Sequence, residues 1–277
     1  MNNKIGIMSG RLSQPINQAI QTFPKETWKD EFEKANRIGF EKIEWIFDYQ
    51  KNPIMEDDGV KEIKKYYEKY DIEINSNCAD YFMEKKLFAE SSIDLENNLQ
   101  MLKKLIEQCH KLGISIIEIP LVDSSTIDLE KNEQEFKHNI ESILSTAKNH
   151  NMMICLETDL EPDRFLRLLM DINHPNVKIN YDIGNSTSNG YDPEIELSLL
   201  KSWIMNIHVK DRLNYGNTVP LGNGNVDFGQ FFSLIKKINY SYDLIIQGAR
   251  EDLIDISILP EETCSKYFKF VMQYLDK

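Results

Sequence analysis

Short apolar or β-branched runs recur along the 277 residues at Lys4–Met8, Lys42–Ile46, Ile72–Ser76, Ile114–Leu121, Met152–Glu157, Val177–Asp182, Met205–Val209 and Asp243–Gln247. Each is bounded by turn-forming or polar residues, the mark of a strand. Each is followed by a segment with apolar residues at helical spacing: Lys25–Arg37, Asp58–Tyr70, Ile93–Leu112, Glu133–Asn149, Glu161–Ile172, Pro193–Trp203, Phe228–Ile238 and Pro260–Leu275. The third is the clearest, with Leu95, Leu99, Leu102, Ile106 and Cys109 on one face and Gly113 as the stop. Strands that alternate with helices build a parallel sheet, because each crossover must return to the same edge. Eight such pairs predict an α/β chain closed as a (β/α)₈ TIM barrel. A doubly wound open sheet is the alternative, but IGIMSGRL after the first strand is not the GxGxxG of a dinucleotide fold. No linker, low-complexity tract or composition shift divides the chain, so residues 1–277 are expected to form a single domain.

Composition narrows the class further. With 41% hydrophobic and 28% charged residues the chain can build a core, which excludes a disordered protein. A net charge of −13 is the wrong sign for neutralising phosphates, so nucleic acid is not the expected partner. No apolar run approaches the roughly 18 residues of a membrane helix, and the opening MNNKIGIMSG is unlike a signal peptide. A cytoplasmic protein is the expectation. Cys78, Cys109, Cys155 and Cys264 lie far apart with no CxxC spacing, which predicts reduced, buried thiols and no structural zinc site.

In a barrel the chemistry sits at the C-terminal ends of the strands. There the fifth, sixth, seventh and eighth strands present Glu157, Asp182, His208 and Gln247 in turn. Two carboxylates, an imidazole and an amide oxygen make a donor set for one divalent cation, and its oxygen content favours Mn²⁺, Co²⁺ or Mg²⁺. Any one of these residues alone reads as a cap or a packed polar group. It is their equivalent placement on consecutive strands that points to a site. Lys210 follows His208 by two residues, on the same face of an extended strand, and is placed to donate a proton or clamp charge. Its alternative is a salt bridge to Asp211 or another acid at the mouth. Arg11 and Arg250 follow the first and last strands and, with Lys210, suggest a rim for an anionic or polyhydroxylated substrate. Glu44, Asp80 and Asn185 also stand at strand ends, where Glu44 and Asn185 are expected to bind substrate.

The run LET…YDIGN…HVKD…VPLGNGNVDF…IIQ, with the opening IGIMSGRLS, resembles the xylose-isomerase-like TIM-barrel superfamily, and within it the sugar phosphate isomerase/epimerase group. The resemblance implies one divalent metal ion, whether Mn, Co, Mg or Zn, on Glu157, Asp182 and His208, with a fourth ligand on the last strand. It implies an isomerase or epimerase of a sugar or sugar phosphate that works through an enediolate, with Glu157 as the base. The family carries Glu at the last position, as one of two acid/base carboxylates, whereas this chain has Gln247. An amide can coordinate through oxygen but takes no proton, so the symmetric two-carboxylate epimerisation lacks a member. Gly222 and Gly224 in the loop match a segment where backbone approaches ligand. Three other functions stay in view: a dehydratase acting on a keto-polyol or sugar acid, a non-catalytic sugar-binding barrel, and repair of abasic DNA. The last needs several more site histidines, and His110, His138, His150 and His174 fall in or beside helices. The partner called for is a small carbohydrate, with a homodimer allowed and no nucleic acid or membrane.

Overall fold

The structure, a computed structural model, describes residues 3–49 and 51–275. Its elements run β1 (Ile5–Met8), α1 (Trp28–Ile38), β2 (Lys42–Ile46), α2 (Asp57–Tyr70), β3 (Ser76–Cys78), α3 (Tyr81–Glu84), α4 (Ser92–Leu112) and β4 (Ile116–Leu121). They continue through α5 (Glu130–Asn149), β5 (Met153–Thr158), α6 (Pro162–Ile172), β6 (Val177–Asp182), α7 (Ile183–Ser188), α8 (Pro193–Leu200) and β7 (Ile204–Val209). The last are β8 (Asp211–Arg212), β9 (Thr218–Val219), α9 (Phe228–Lys237), β10 (Leu244–Ile246) and α10 (Pro260–Leu275). The strands close in the order β1-β10-β7-β6-β5-β4-β3-β2, while β8 and β9 form a separate antiparallel ribbon. The expected closed barrel of parallel strands is present.

Contacts group into two units. One comprises the chain up to Glu44, Tyr66–Glu73, and the chain from Tyr181 on; the other comprises Trp45–Lys65 and Ile74–Asn180. In the first, Ile5 pairs with Leu244 and Leu244 with Ile207, over a core that includes Phe32, Phe231, Ile235 and Val271. In the second, β4 and β5 pair along their full length from Ile116↔Met153 to Leu121↔Thr158, and Ile106, Phe136, Ile140 and Leu168 pack as its core. Local chemistry sets both ends of α4. The Ser91 hydroxyl accepts the Asp94 N–H at the start of α4, and Gly113, with φ of 82°, ends it.

Three expectations are corrected. The third strand is Ser76–Cys78 rather than Ile72–Ser76; of that expected stretch Ser76 pairs in the ladder, with Ile116, and Glu73 makes an isolated bridge to Lys42. Ile72 and Ile74 are buried, so their alternation marked packing while the ladder itself is carried by Ser76, Asn77 and Cys78. The helix expected at Pro193–Trp203 ends at Leu200 and is preceded by α7, which starts directly at the tip of β6. The α5 helix begins at Glu130, three residues earlier than its periodicity suggested. The four cysteines are free and buried, as expected. Among the described residues, no helix is long and apolar enough to cross a membrane.

Barrel interiors are ordinarily filled by branched aliphatic side chains. Here strand residues Glu44, Asn206 and His208 are buried in the first unit, and Asn77, Glu118 and Asn180 in the second. Burying that much polarity is costly unless the groups find partners.

Candidate active site

The tips of β6 and β7 supply the densest polar cluster. Asp182 ends β6 and caps α7: its Oδ1 accepts the Asn185 N–H at 2.8 Å. Its other oxygen, Oδ2, lies 2.6 Å from the Lys210 ammonium and 4.0 Å from His208 Nδ1. Lys210 thus forms a salt bridge to an acid, and that acid is Asp182 rather than Asp211. Asn185 is drawn into the same cluster, since its Oδ1 accepts from Arg212 Nη1 at 2.8 Å and faces Lys210 Nζ at 3.4 Å. Gly184 makes this approach feasible, because a Cβ there would stand 2.9 Å from Lys210 Cβ.

His208 is wholly buried, and its second ring nitrogen, Nε2, lies 2.5 Å from Glu44 Oε1. The Asn206 amide donates to Glu44 Oε2 at 2.8 Å. Glu44, expected to bind substrate, is fully enclosed beside His208 with both oxygens engaged.

Arg11 and Arg250, expected at a substrate rim, both make contacts within the fold. Arg11 donates to the carbonyls of Gly248 (3.0 Å) and Ile20 (2.5 Å) and to Gln21 Oε1 (3.1 Å). Arg250 donates to the Gly10 carbonyl at 2.6 Å, to the Ser13 carbonyl, and to Asp252 Oδ2 at 3.0 Å. Both guanidiniums are buried in tying the β1 loop to the β10 loop, because backbone carbonyls at two irregular turns need donors and no strand supplies them. The cations that stand beside Asp182 and Asn185 are Lys210 and Arg212, and Arg212 was not anticipated. Its signal was its place in VKDR, two residues past Lys210.

The glycine loop is held by one carboxylate. Asp211, fully buried, accepts the N–H groups of Gly222 (2.9 Å) and Gly224 (2.8 Å) on Oδ2 and that of Val226 (3.2 Å) on Oδ1. A Cβ on residue 224 would lie 2.1 Å from Asp211 Oδ1, so glycine is required there for the loop to close on its anchor rather than on a ligand.

Gln247 donates through Nε2 to Gln21 Oε1 at 3.0 Å, and its Oε1 is buried with no hydrogen-bond partner among the described residues. In the second unit Glu157, at the end of β5, accepts from Asn180 Nδ2 at 2.6 Å. A carboxylate oxygen of Glu118 lies within 4.8 Å of one on Glu157. Two buried carboxylates that close repel unless a cation or proton lies near. Glu118 was not singled out in the sequence, where IIEIPL reads as an apolar strand with one odd residue.

Asp182 and His208 offer carboxylate oxygen and imidazole nitrogen, as Glu157 of the second unit offers carboxylate oxygen, and these are donor types that a divalent cation takes. The buried Gln247 Oε1 is an acceptor without a donor among the described residues. Burial also moves acids behind the site. Glu196 is pushed up to about 7 by loss of solvent, against the hydroxyls of Tyr181 and Ser186 that donate to it. Glu31, which accepts the N–H groups of Gly10 and Leu12, is likewise raised to about 7 by burial.

Comparison with known proteins agrees with this architecture. SgbU of Haemophilus influenzae, which carries the name of an L-ribulose-5-phosphate 3-epimerase, is 26% identical over 265 residues, covering 88% of each chain. The 3-dehydroshikimate dehydratase of Bacillus anthracis is 28% identical over 167 residues, 54% of this chain and 59% of its own. Among solved structures, IolI with a bound zinc atom superposes with a TM-score of 0.78 at 16% identity, over 98% of this chain and 97% of that one. D-psicose 3-epimerase of Clostridium cellulolyticum H10 gives 0.76 at 15% identity, over 98% and 99%. Residues 32–256 match the profile of the xylose isomerase-like TIM barrel, and the chain belongs to that family.

Proposed function

We propose that this protein is a divalent-metal-dependent isomerase or epimerase of a sugar or sugar phosphate. The observation that carries the reading is that Glu157, Asp182 and His208, buried at the tips of consecutive strands, are each met by a polar partner: Asn180, Lys210 and Glu44. Such partners fix the geometry that metal ligands need. Kinship with sugar-phosphate 3-epimerases supports the substrate class. One cation would be held by Glu157, Asp182 and His208, with the Gln247 amide oxygen as fourth donor. When bound, it supplies Lewis acidity to a substrate carbonyl and the adjacent hydroxyl.

The chain's own residues do the rest. Glu157 takes the proton from the carbon beside the carbonyl, a step in which a positioned base contributes about 10²–10⁴-fold. Since Gln247 cannot accept a proton, Glu157 returns it on the same face, which yields aldose–ketose isomerisation between adjacent carbons. Lys210 and Arg212 carry positive charge beside Asn185 and bind the anionic part of the substrate. The chain is one domain on this reading, because three of the four boundaries between its contact units fall inside an element: strands β2 and β6 and helix α2. A dehydratase is the second reading, favoured by the dehydratase among the relatives.

The test is incubation of EDTA-stripped, re-metallated protein with a panel of sugars and sugar phosphates in D₂O. Deuterium at carbon without water loss is the expected outcome, and Glu157→Gln should abolish it while substrate still binds. Net loss of water would select the dehydratase, and exchange that survives in metal-loaded Glu157→Gln would remove Glu157 as the base.

A further inference from the structure

We propose that His110 and His150 form a second metal site, remote from the strand tips, that takes one transition-metal ion of the Cu²⁺, Ni²⁺ and Zn²⁺ class. Both residues belong to the second contact unit. His110 is exposed in the last turn of α4, and His150 is half-buried directly after the end of α5. Since α4 leads into β4 and α5 into β5, the pair stands where those strands begin, at the other end of β5 from Glu157. The two ring centres are 5.2 Å apart, with their planes at 76°. With metal–nitrogen bonds of about 2.1 Å and a ring centre roughly 1.1 Å behind each nitrogen, two imidazoles on one tetrahedral ion have centres about 5.2 Å apart. The separation is the one a shared ion requires, with solvent completing its coordination.

The surroundings favour such an ion. His150 Nδ1 lies 2.9 Å from the Thr146 carbonyl, which only accepts, so that nitrogen carries the hydrogen and Nε2 the lone pair. A fixed outer partner of this kind is what orients metal-binding imidazoles. Backbone bonds hold both histidines in place beforehand. The Gly113 N–H donates to the His110 carbonyl at 3.0 Å, and the His150 N–H donates to the Thr146 and Ala147 carbonyls at 3.2 Å. The Met153 N–H reaches the Ser115 carbonyl at 2.8 Å and ties the two turns together, which leaves little ordering for the ion to impose. Helix C-termini carry partial negative charge, and two of them meet here. Lys111, in the same turn as His110, is engaged by Asp57 at 2.7 Å. Imidazole nitrogen suits Cu, Ni and Zn, and among them Cu²⁺ binds tightest.

The experiment is Cu²⁺ titration of the whole chain, read by EPR, in which the hyperfine pattern counts the nitrogens bound to copper. The His110–His150 pair gives a component with two nitrogens, whereas copper on any single histidine gives one. The two-nitrogen component is expected in wild type and in His138→Gln, and should be lost in both His110→Gln and His150→Gln. His110→Gln is the cleaner variant, because it leaves the bond between His150 and Thr146 intact. The affinity of this site for Cu²⁺ should fall about 100-fold in either variant, the loss of a second ligand held at high effective concentration. A saturated wild-type protein with no two-nitrogen component would overturn the proposal and leave the two rings as an aromatic edge contact only. Survival of that component in folded His110→Gln would overturn it as well, by assigning the copper to other histidines. The component should also persist in His208→Gln, which separates this site from the reading of the strand tips; its loss there would overturn the second site.

Discussion

Two sides of the first contact unit use the same residue types for opposite ends. Beside β1 and β10, Arg11 and Arg250 donate to four backbone carbonyls and to the side chains of Gln21 and Asp252, and Glu31 accepts backbone N–H groups. Beside β6 and β7, Lys210 meets the side-chain oxygens of Asp182 and Asn185, Arg212 divides its bonds between Asn185 Oδ1 and the Gly216 carbonyl, and Glu196 accepts two side-chain hydroxyls. A charge satisfied by backbone is committed to holding a loop, since the carbonyl cannot move away without unfolding the turn. A charge satisfied by another side chain is exchangeable, because both partners can rotate when a ligand arrives. The identity of the cation says little about its use; the kind of acceptor says much.

The largest effect should come from breaking the committed side. Arg250→Ala strands the buried Asp252 carboxylate and two carbonyls, and should cost about 3–5 kcal/mol of unfolding free energy, measured by urea denaturation. A variant that keeps its stability but loses affinity for a phosphorylated sugar would reverse the assignment and restore Arg250 to the substrate rim.

The paired buried acids offer a second, slightly smaller test. Glu31 and Glu196 are both raised from 4.5 to about 7 by burial, so the folded protein holds protons that the unfolded chain has released. Their contribution to stability is complete below about pH 4.5 and is lost as pH rises through about 7. A shift of this size corresponds to about 3 kcal/mol per group. Glu196→Gln should therefore gain on wild type by an amount of that order between pH 5 and pH 8, read as the difference in melting behaviour at the two pH values. A difference that does not change with pH would mean Glu196 is charged in the fold.

The smallest effect belongs to the exchangeable side. Lys210→Met should raise KM for a sugar phosphate about tenfold or more, the loss of one charge-assisted contact, and leave KM for the unphosphorylated sugar nearly unchanged. Metal content measured on the same samples separates this from a change at Asp182. Equal effects on both substrates would place Lys210 with the structural cations.

Much of this molecule was legible as sequence. The alternation of period-two and period-3.6 segments specifies parallel strands joined by helices, and the strand tips then follow by counting, which is how Glu157, Asp182, His208 and Gln247 were found. β3 was misplaced because Ile72 and Ile74 alternate as a strand would, whereas the true ladder is Ser76–Cys78, polar residues that no hydrophobic pattern marks. Glu118 was passed over for a related reason: one acid in an apolar run reads as an exception rather than as a buried partner.

Chain order by itself determined which residues stand at the strand ends, since period and spacing are properties of neighbours along the backbone. Only the tertiary structure decided what each of them faces. Glu44 and His208 are 164 residues apart and Arg250 and Gly10 are 240 apart, and their contacts exist because barrel closure brings β1 beside both β2 and β10. Whether a charged side chain holds a loop, orients a ligand or meets a substrate depends on the acceptor within about 3 Å of it, and that distance is set through space.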